Sequence, residues 1–169
     1  MEEKRRKTAA SICEWMDAAV FAVVVCVVIF TLFVKVFTVQ GQSMEPTYYE
    51  GDRVVALLAV LDIDQGDVIV TDDNNGLSEP LIKRVIATEF QKVEMDTSNG
   101  AIYVDGKLFD TPVGTTMSNL KGDISYPFYV PEGYVFAVGD NREVSLDCRY
   151  ERCGFIDMRS IVGKVIFTG

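Results

Sequence analysis

The run from Ala18 to Val34, AAVFAVVVCVVIFTLFV, holds no charged residue over 17 positions. As a helix it is about 26 Å long at 1.5 Å per residue. Val36 and Phe37 extend its apolar reach and Lys35 can snorkel, so it fits a bilayer core. A soluble core helix is a poor alternative, because the run is apolar on every face. A cleaved signal peptide is a second alternative, with its basic start and apolar core. Here the core is too long, and no small-x-small site follows it. The expected layout is a basic cytoplasmic segment over 1–15, a transmembrane signal-anchor over 16–36 and an extracytoplasmic β domain over 37–169. Lys4, Arg5, Arg6 and Lys7 hold the N-terminus in the cytoplasm by the positive-inside rule.

Beyond the anchor the charge is acidic. From Gln40 onward there are 11 Lys and Arg against 21 Asp and Glu, a net of −10. Such a domain repels phosphate backbones, which argues against nucleic-acid binding. The four cysteines fall into two pairs. Cys13 and Cys26 read as small apolar fillers at or in the membrane span. Cys148 and Cys153 lie on the outer side, where disulfides persist, and are either a local disulfide or two free thiols. Two cysteines without histidine make a poor metal site.

Short runs rich in Val, Ile and aromatics fill the external part: DRVVALLAV, DVIVT, PLIKRVIA, KVEMD, AIYV, YVFAV and IVGKVIFT. Turn signals stand at Gln65-Gly66-Asp67, Asn99-Gly100 and Asp105-Gly106, the last two predicting consecutive hairpins. Thr111 to Pro131 is the least regular region. The fold class expected is mainly β, with one N-terminal helix and one compact all-β domain.

Within that domain QSMEPT places Ser43 just before a proline turn. Met44 is expected either to bury or to touch a membrane. A serine nucleophile needs a base, and the chain has no histidine. The candidate bases are then carboxylates and lysines, and one lysine stands out. In PLIKRVIA, strand alternation sets Leu81, Lys83 and Val85 on one face and Ile82, Arg84 and Ile86 on the other. An inward Lys83 is pushed toward its neutral form by burial. Bringing it from about 10.4 to about 7–8 takes roughly 4 kcal/mol. Arg84 is no base, because arginine stays protonated. Gly139 to Arg149, GDNREVSLDCR, is a polar turn after an apolar strand. Its spacing does not fit a calcium loop. It reads as a turn held by Asp147 with Arg149 or Arg142, with Ser145 as a further hydroxyl.

Together these stretches resemble the type I signal peptidases, the membrane-anchored Ser-Lys proteases of bacterial secretion. SMEPT, GDRVV (Gly51 to Val55), KRVIA (Lys83 to Ala87) and PEGYVFAVGDNREVSLDCR (Pro131 to Arg149) resemble that family's boxes in order, and IVGKV also fits. The resemblance implies Ser43 as nucleophile, Lys83 as general base and Ser145 as the hydroxyl that orients the amine. It implies Asp147 and Arg149 as a supporting pair, and Phe37, Val39, Leu81 and Ile82 near the walls that receive small side chains before the cut. The implied fold is all-β, lying against the membrane. No metal and no cofactor are implied. The implied partners are preproteins with signal peptides and the lipid bilayer, with no nucleic acid and a monomeric enzyme in a bacterial plasma membrane.

The chain departs from the pattern at three places. Gly41 stands where some members carry a serine hydroxyl that helps hold the oxyanion. Cys148 stands where serine is frequent, and Arg149 to Gly154 is slightly long. Two other readings conflict with the sequence. A tethered binding domain without catalysis predicts a missing serine or lysine. A self-cleaving Ser-Lys repressor needs a DNA-binding module and a cleavable linker in place of an anchor and an acidic domain.

Overall fold

A computed structural model describes residues 2–58, 62–73, 79–110, 112, 115, 118 and 121–168. The side chains of Lys4, Arg5, Arg6, Lys7 and Cys13 lie outside that description, as do residues 59–60 of the run DRVVALLAV and much of 111–120. The chain divides into two compact units, Met1–Val34 and Lys35–Gly169.

The first unit is one helix, α1, Glu2–Phe33. Its segment Glu14–Phe33 is 20 residues long with mean hydropathy 2.6 and is long and apolar enough to cross a membrane. All of its side chains are exposed among the described residues, and they are apolar on every face. The helix ends at Phe33, not at residue 36 as the sequence suggested. Strand β1, Val34–Thr38, takes over at once. Its alternating β-branched residues, Val34, Val36 and Thr38, favour that change.

The second unit is β throughout. A seven-stranded sheet has the order β1-β2-β11-β3-β4-β9-β10. It uses β2 (Arg53–Leu57), β3 (Val68–Thr71), β4 (Ile82–Ala87), β9 (Tyr134–Val138), β10 (Ile156–Asp157) and β11 (Ile161–Thr168). A four-stranded sheet has the order β7-β6-β5-β8. Its members are β5 (Lys92–Asp96), β6 (Ala101–Val104), β7 (Lys107–Leu108) and β8 (Phe128–Tyr129). Both expected hairpins form, β5 to β6 through Asn99-Gly100 and β6 to β7 through Asp105-Gly106. Asp105 and Gly106 both have positive φ, 51° and 76°, which a tight two-residue hairpin turn demands. The irregular stretch from Thr111 to Pro131 delivers β8 to the edge of this sheet.

One core joins the two sheets. Val85, Phe136 and Ala137 from the large sheet pack with Val93, Ile102 and Val104 from the small one. Phe128 from β8 meets Phe136 edge-on at 5.0 Å and Phe155 at 5.3 Å, an arrangement aromatic rings prefer. The strands that matter for chemistry are central. β4 lies between β3 and β9, antiparallel to both, with Lys83 opposite Ile69.

Candidate active site

Lys83 Nζ donates to Ser43 Oγ at 2.8 Å. The two residues come from different elements. Lys83 is fixed on β4, on the same buried face as Leu81 and Val85, as alternation predicts. A bulge between Val85 and Ala87 then ends the alternation, and Ile86 buries as well. Ser43 sits in a turn that follows β1. Its neighbour Met44 is 1% exposed and anchors the turn in the domain interior. The Ser43 carbonyl accepts from Asn141 N–H at 3.0 Å, which ties the turn to the segment after β9.

The lysine amine is nearly enclosed, since the residue is only 4% exposed. Burial lowers its pKa, because removing water penalises the ammonium. Asp147, Cys153 and Cys148 oppose that shift, and Arg149 reinforces it. The net shift is toward the neutral amine that a lysine base needs beside a hydroxyl.

The third participating segment is Gly139 to Arg149. Asp147 is fully buried and pairs with Arg149, whose Nε reaches Oδ1 at 2.8 Å and whose Nη2 reaches Oδ2 at 3.0 Å. Asp147 Oδ2 also accepts from Gly139 N–H at 3.0 Å. Arg149 Nη2 donates further to the carbonyls of Arg142 and Ser145. Of the two expected partners for Asp147, Arg149 is the one used. Arg142 instead donates from Nε to the Gly139 carbonyl at 3.0 Å. Gly139 has to be glycine: a Cβ there would lie 2.2 Å from Ser145 Oγ and 2.4 Å from the Ser43 carbonyl oxygen. Ser145 is therefore brought beside the Ser43 turn. Its hydroxyl is buried but forms no hydrogen bond among the described residues, so the expected bond to the lysine amine is not made. The Oγ is turned against Gly139 instead.

The model of the family described as signal peptidase, peptidase S26, matches residues 12–168. A signal peptidase I of Bacillus licheniformis is 31% identical over 181 residues, covering 99% of this chain and 93% of that one. A signal peptidase IB of Staphylococcus aureus (strain COL) is 33% identical over 174 residues, covering 92% and 88%. A solved signal peptidase I from Enterococcus faecalis V583 overlaps 64% of this chain and all of its own, with 23% identity and a TM-score of 0.48. The chain belongs to the signal peptidase family, peptidase S26. It is a serine endopeptidase that removes signal peptides from preproteins, and a Ser-Lys dyad is the mechanism of its family. Its N-terminal apolar helix fits a membrane-anchored enzyme.

This signal peptidase also carries a brace that the sequence reading missed. Asp140, fully buried, receives Arg84 Nε on Oδ1 at 2.8 Å and Arg84 Nη2 on Oδ2 at 2.7 Å. Thr47 Oγ1 donates to the same Oδ2 at 2.5 Å. Three boxes thus meet: Thr47 follows the serine, Arg84 follows the lysine and Asp140 follows Gly139. The signal was present in the adjacency of Lys83 and Arg84. A strand that buries a lysine on one face must give the next cation a partner on the other. The four residues expected to line substrate pockets divide by position. Phe37 is half-buried on β1, and Val39 is buried four residues before Ser43. Leu81 is buried and Ile82 half-buried at the start of the strand that carries Lys83. Cys148 and Cys153 are free thiols, both buried.

Proposed function

We propose that Ser43 is the nucleophile and Lys83 the general base of this signal peptidase. The observation that carries the reading is the 2.8 Å contact between Lys83 Nζ and Ser43 Oγ, made by an amine that burial favours as neutral. The amine takes the hydroxyl proton as Oγ attacks the scissile carbonyl. The resulting ammonium gives that proton to the departing amine of the mature protein, leaving an acyl-enzyme. Lys83, neutral again, activates the water that releases the signal peptide. The Ser145 hydroxyl, which forms no hydrogen bond among the described residues, takes one from the amine once the side chain turns from Gly139. Asp147 and Arg149 hold the loop. With Gly41 in place of a hydroxyl, the developing oxyanion rests on backbone N–H groups, that of Ser43 first.

The preprotein lies extended beside the site as an added strand. Phe37, Val39, Leu81 and Ile82 border two shallow apolar pockets for small side chains one and three residues before the cut. The enzyme acts as a monomer in the bacterial plasma membrane, with its N-terminus cytoplasmic and its catalytic domain outside. Anchoring raises the effective concentration at the surface where cleavage sites emerge. The test uses full-length enzyme in detergent with a preprotein, followed by mapping of the new N-terminus. Cleavage after a small-x-small triplet by the wild type, abolished in Ser43→Ala, is expected. Undiminished cleavage by Ser43→Ala would remove the assignment.

A further inference from the structure

We propose, on the Ser43–Lys83 reading of the site, that Val144 and Leu146 form an apolar edge that selects the first residue of the mature protein, the side chain just beyond the cut. Val144 is 58% exposed and Leu146 38%, while Ser145 between them is buried. Apolar residues scattered singly over a surface are ordinary. These two flank a buried hydroxyl beside the nucleophile, on a loop bonded to the nucleophile's own backbone.

The loop fixes both side chains outward. Asn141 N–H donates to the Ser43 carbonyl and Ser145 N–H to the Asn141 carbonyl, both at 3.0 Å. Arg149 Nη2 holds the carbonyls of Arg142 and Ser145, at 2.9 Å and 3.2 Å, on either side of Val144. The bonds that set the site therefore also set this edge, and little order has to be gained when a peptide meets it. The edge is close to the chemistry. A Cβ at Gly139 would meet both Ser145 Oγ and the Ser43 carbonyl oxygen, so those two atoms crowd one point. Val144 and Leu146 are one residue from Ser145, about 3.8 Å from Cα to Cα.

The reaction assigns the part of the preprotein that reaches them. Lys83 returns its proton to the departing amine, so the amine marks the leaving side of the cut. Ser145 is the hydroxyl that serves this amine, and the residues flanking it border the same side. Phe37, Val39, Leu81 and Ile82 are committed to the side chains one and three residues before the cut. Along an extended peptide successive side chains alternate, so the residue before the cut and the residue after it point to opposite faces. The side chain after the cut thus meets Val144 and Leu146 and not the pockets. A bilayer fits the edge less well, because Glu143, exposed beside Val144, would enter the apolar layer with it. The same carboxylate repels an acidic residue after the cut.

The experiment uses the full chain in detergent and one preprotein made with Leu, Asn or Asp directly after the cut, the residues before it unchanged. The wild-type kcat/KM is expected to fall in that order, about tenfold from Leu to Asn and further to Asp. Val144→Thr combined with Leu146→Asn, polar replacements of similar size at exposed positions, should bring the Leu-to-Asn ratio to about one. Its preference for Ala over Val one residue before the cut should keep the wild-type ratio. A wild type indifferent to the residue after the cut would overturn the proposal. So would a variant that slows every substrate alike and keeps the Leu-to-Asn ratio, the mark of a displaced Ser145. Slowing of every substrate in lipid vesicles alone would make the edge a membrane contact and overturn it too. Undiminished cleavage by Ser43→Ala would remove the dyad, whereas an unmoved ratio beside an inactive Ser43→Ala removes only the edge.

Discussion

Lys83 and Ser43, 40 residues apart in the chain, are joined by a 2.8 Å contact between amine and hydroxyl. The serine is on a turn and the lysine on an internal strand, so two separate elements set the pair. Replacing Lys83 with arginine keeps length and charge but installs a group that does not deprotonate. Lys83→Arg and Lys83→Ala are expected to lose about 10²–10⁴-fold in kcat/KM, the range a general base supplies. Rates on a signal-bearing preprotein, with circular dichroism to show an intact β domain, check this.

The buried amine also has a stability signature. Its folded-state pKa is lowered from 10.5 by burial. The unfolded chain therefore binds more protons between the folded value and 10.5, and stability rises with pH across that window. Below the folded value the full cost of burying an ammonium is present, and above 10.5 it is gone. Lys83→Met removes the cost. It is expected to be inactive yet more stable than the wild type by on the order of 1 kcal/mol at acid pH, with the gap closing as pH rises. Urea unfolding across the pH range reads this, and a gap that widened with pH would contradict the assigned direction.

The sequence exposed the pieces of this site more readily than the way they are held. Strands such as Val68–Thr71 and Tyr134–Val138 show as continuous apolar runs, because both faces of a central strand are covered. The two-residue strands Lys107–Leu108, Phe128–Tyr129 and Ile156–Asp157 carry no period to read. Val34–Thr38 was hidden, because its valines continue an apolar run that looks the same for helix and strand. Ser43, Lys83 and Asp147 with Arg149 were visible as motif residues. Thr47, Arg84 and Asp140 were not, because their bond joins positions as far apart as 93 residues, and no local pattern encodes such a pairing.

Asp147 and Arg149 form a pair with nothing to spare, at 0% and 1% exposure. Removing one partner leaves the other charge buried without compensation, which costs about 3–5 kcal/mol. Arg149→Met is expected to lower thermal stability by that order and to lose activity with it. Asp147→Asn, which keeps the shape and one acceptor oxygen, should lose less. Differential scanning calorimetry of both variants separates the two outcomes.

Gly139 is a contact point, not a hinge, since its requirement is steric. An added methyl meets Ser145 Oγ at 2.2 Å and the Ser43 carbonyl at 2.4 Å. Both obstacles lie on catalytic segments, so Gly139→Ala should displace the nucleophile more than it unfolds the domain. A displacement near 1 Å costs about 10²-fold in rate. The expected result is a fall of that size in kcat with near-native secondary structure. Ser145→Gly added to Gly139→Ala should recover only part of the rate, because the clash with the Ser43 carbonyl remains.

Thr47 gives the most discriminating variant. Its hydroxyl donates to Asp140, which is held by two bonds from Arg84. Thr47→Val preserves shape and removes only the donor. Asp140 keeps both bonds from Arg84, so the loss of stability should be small, about 1 kcal/mol. The Ser43 turn, however, loses its side-chain tie to the strand that carries Lys83. The hydroxyl and amine should then sample longer separations, and kcat is expected to fall about tenfold with KM little changed. Thr47→Ser restores the donor and should restore kcat. If Thr47→Val instead raised KM and left kcat alone, the residue would be part of the substrate cleft and not a positioning residue for Ser43.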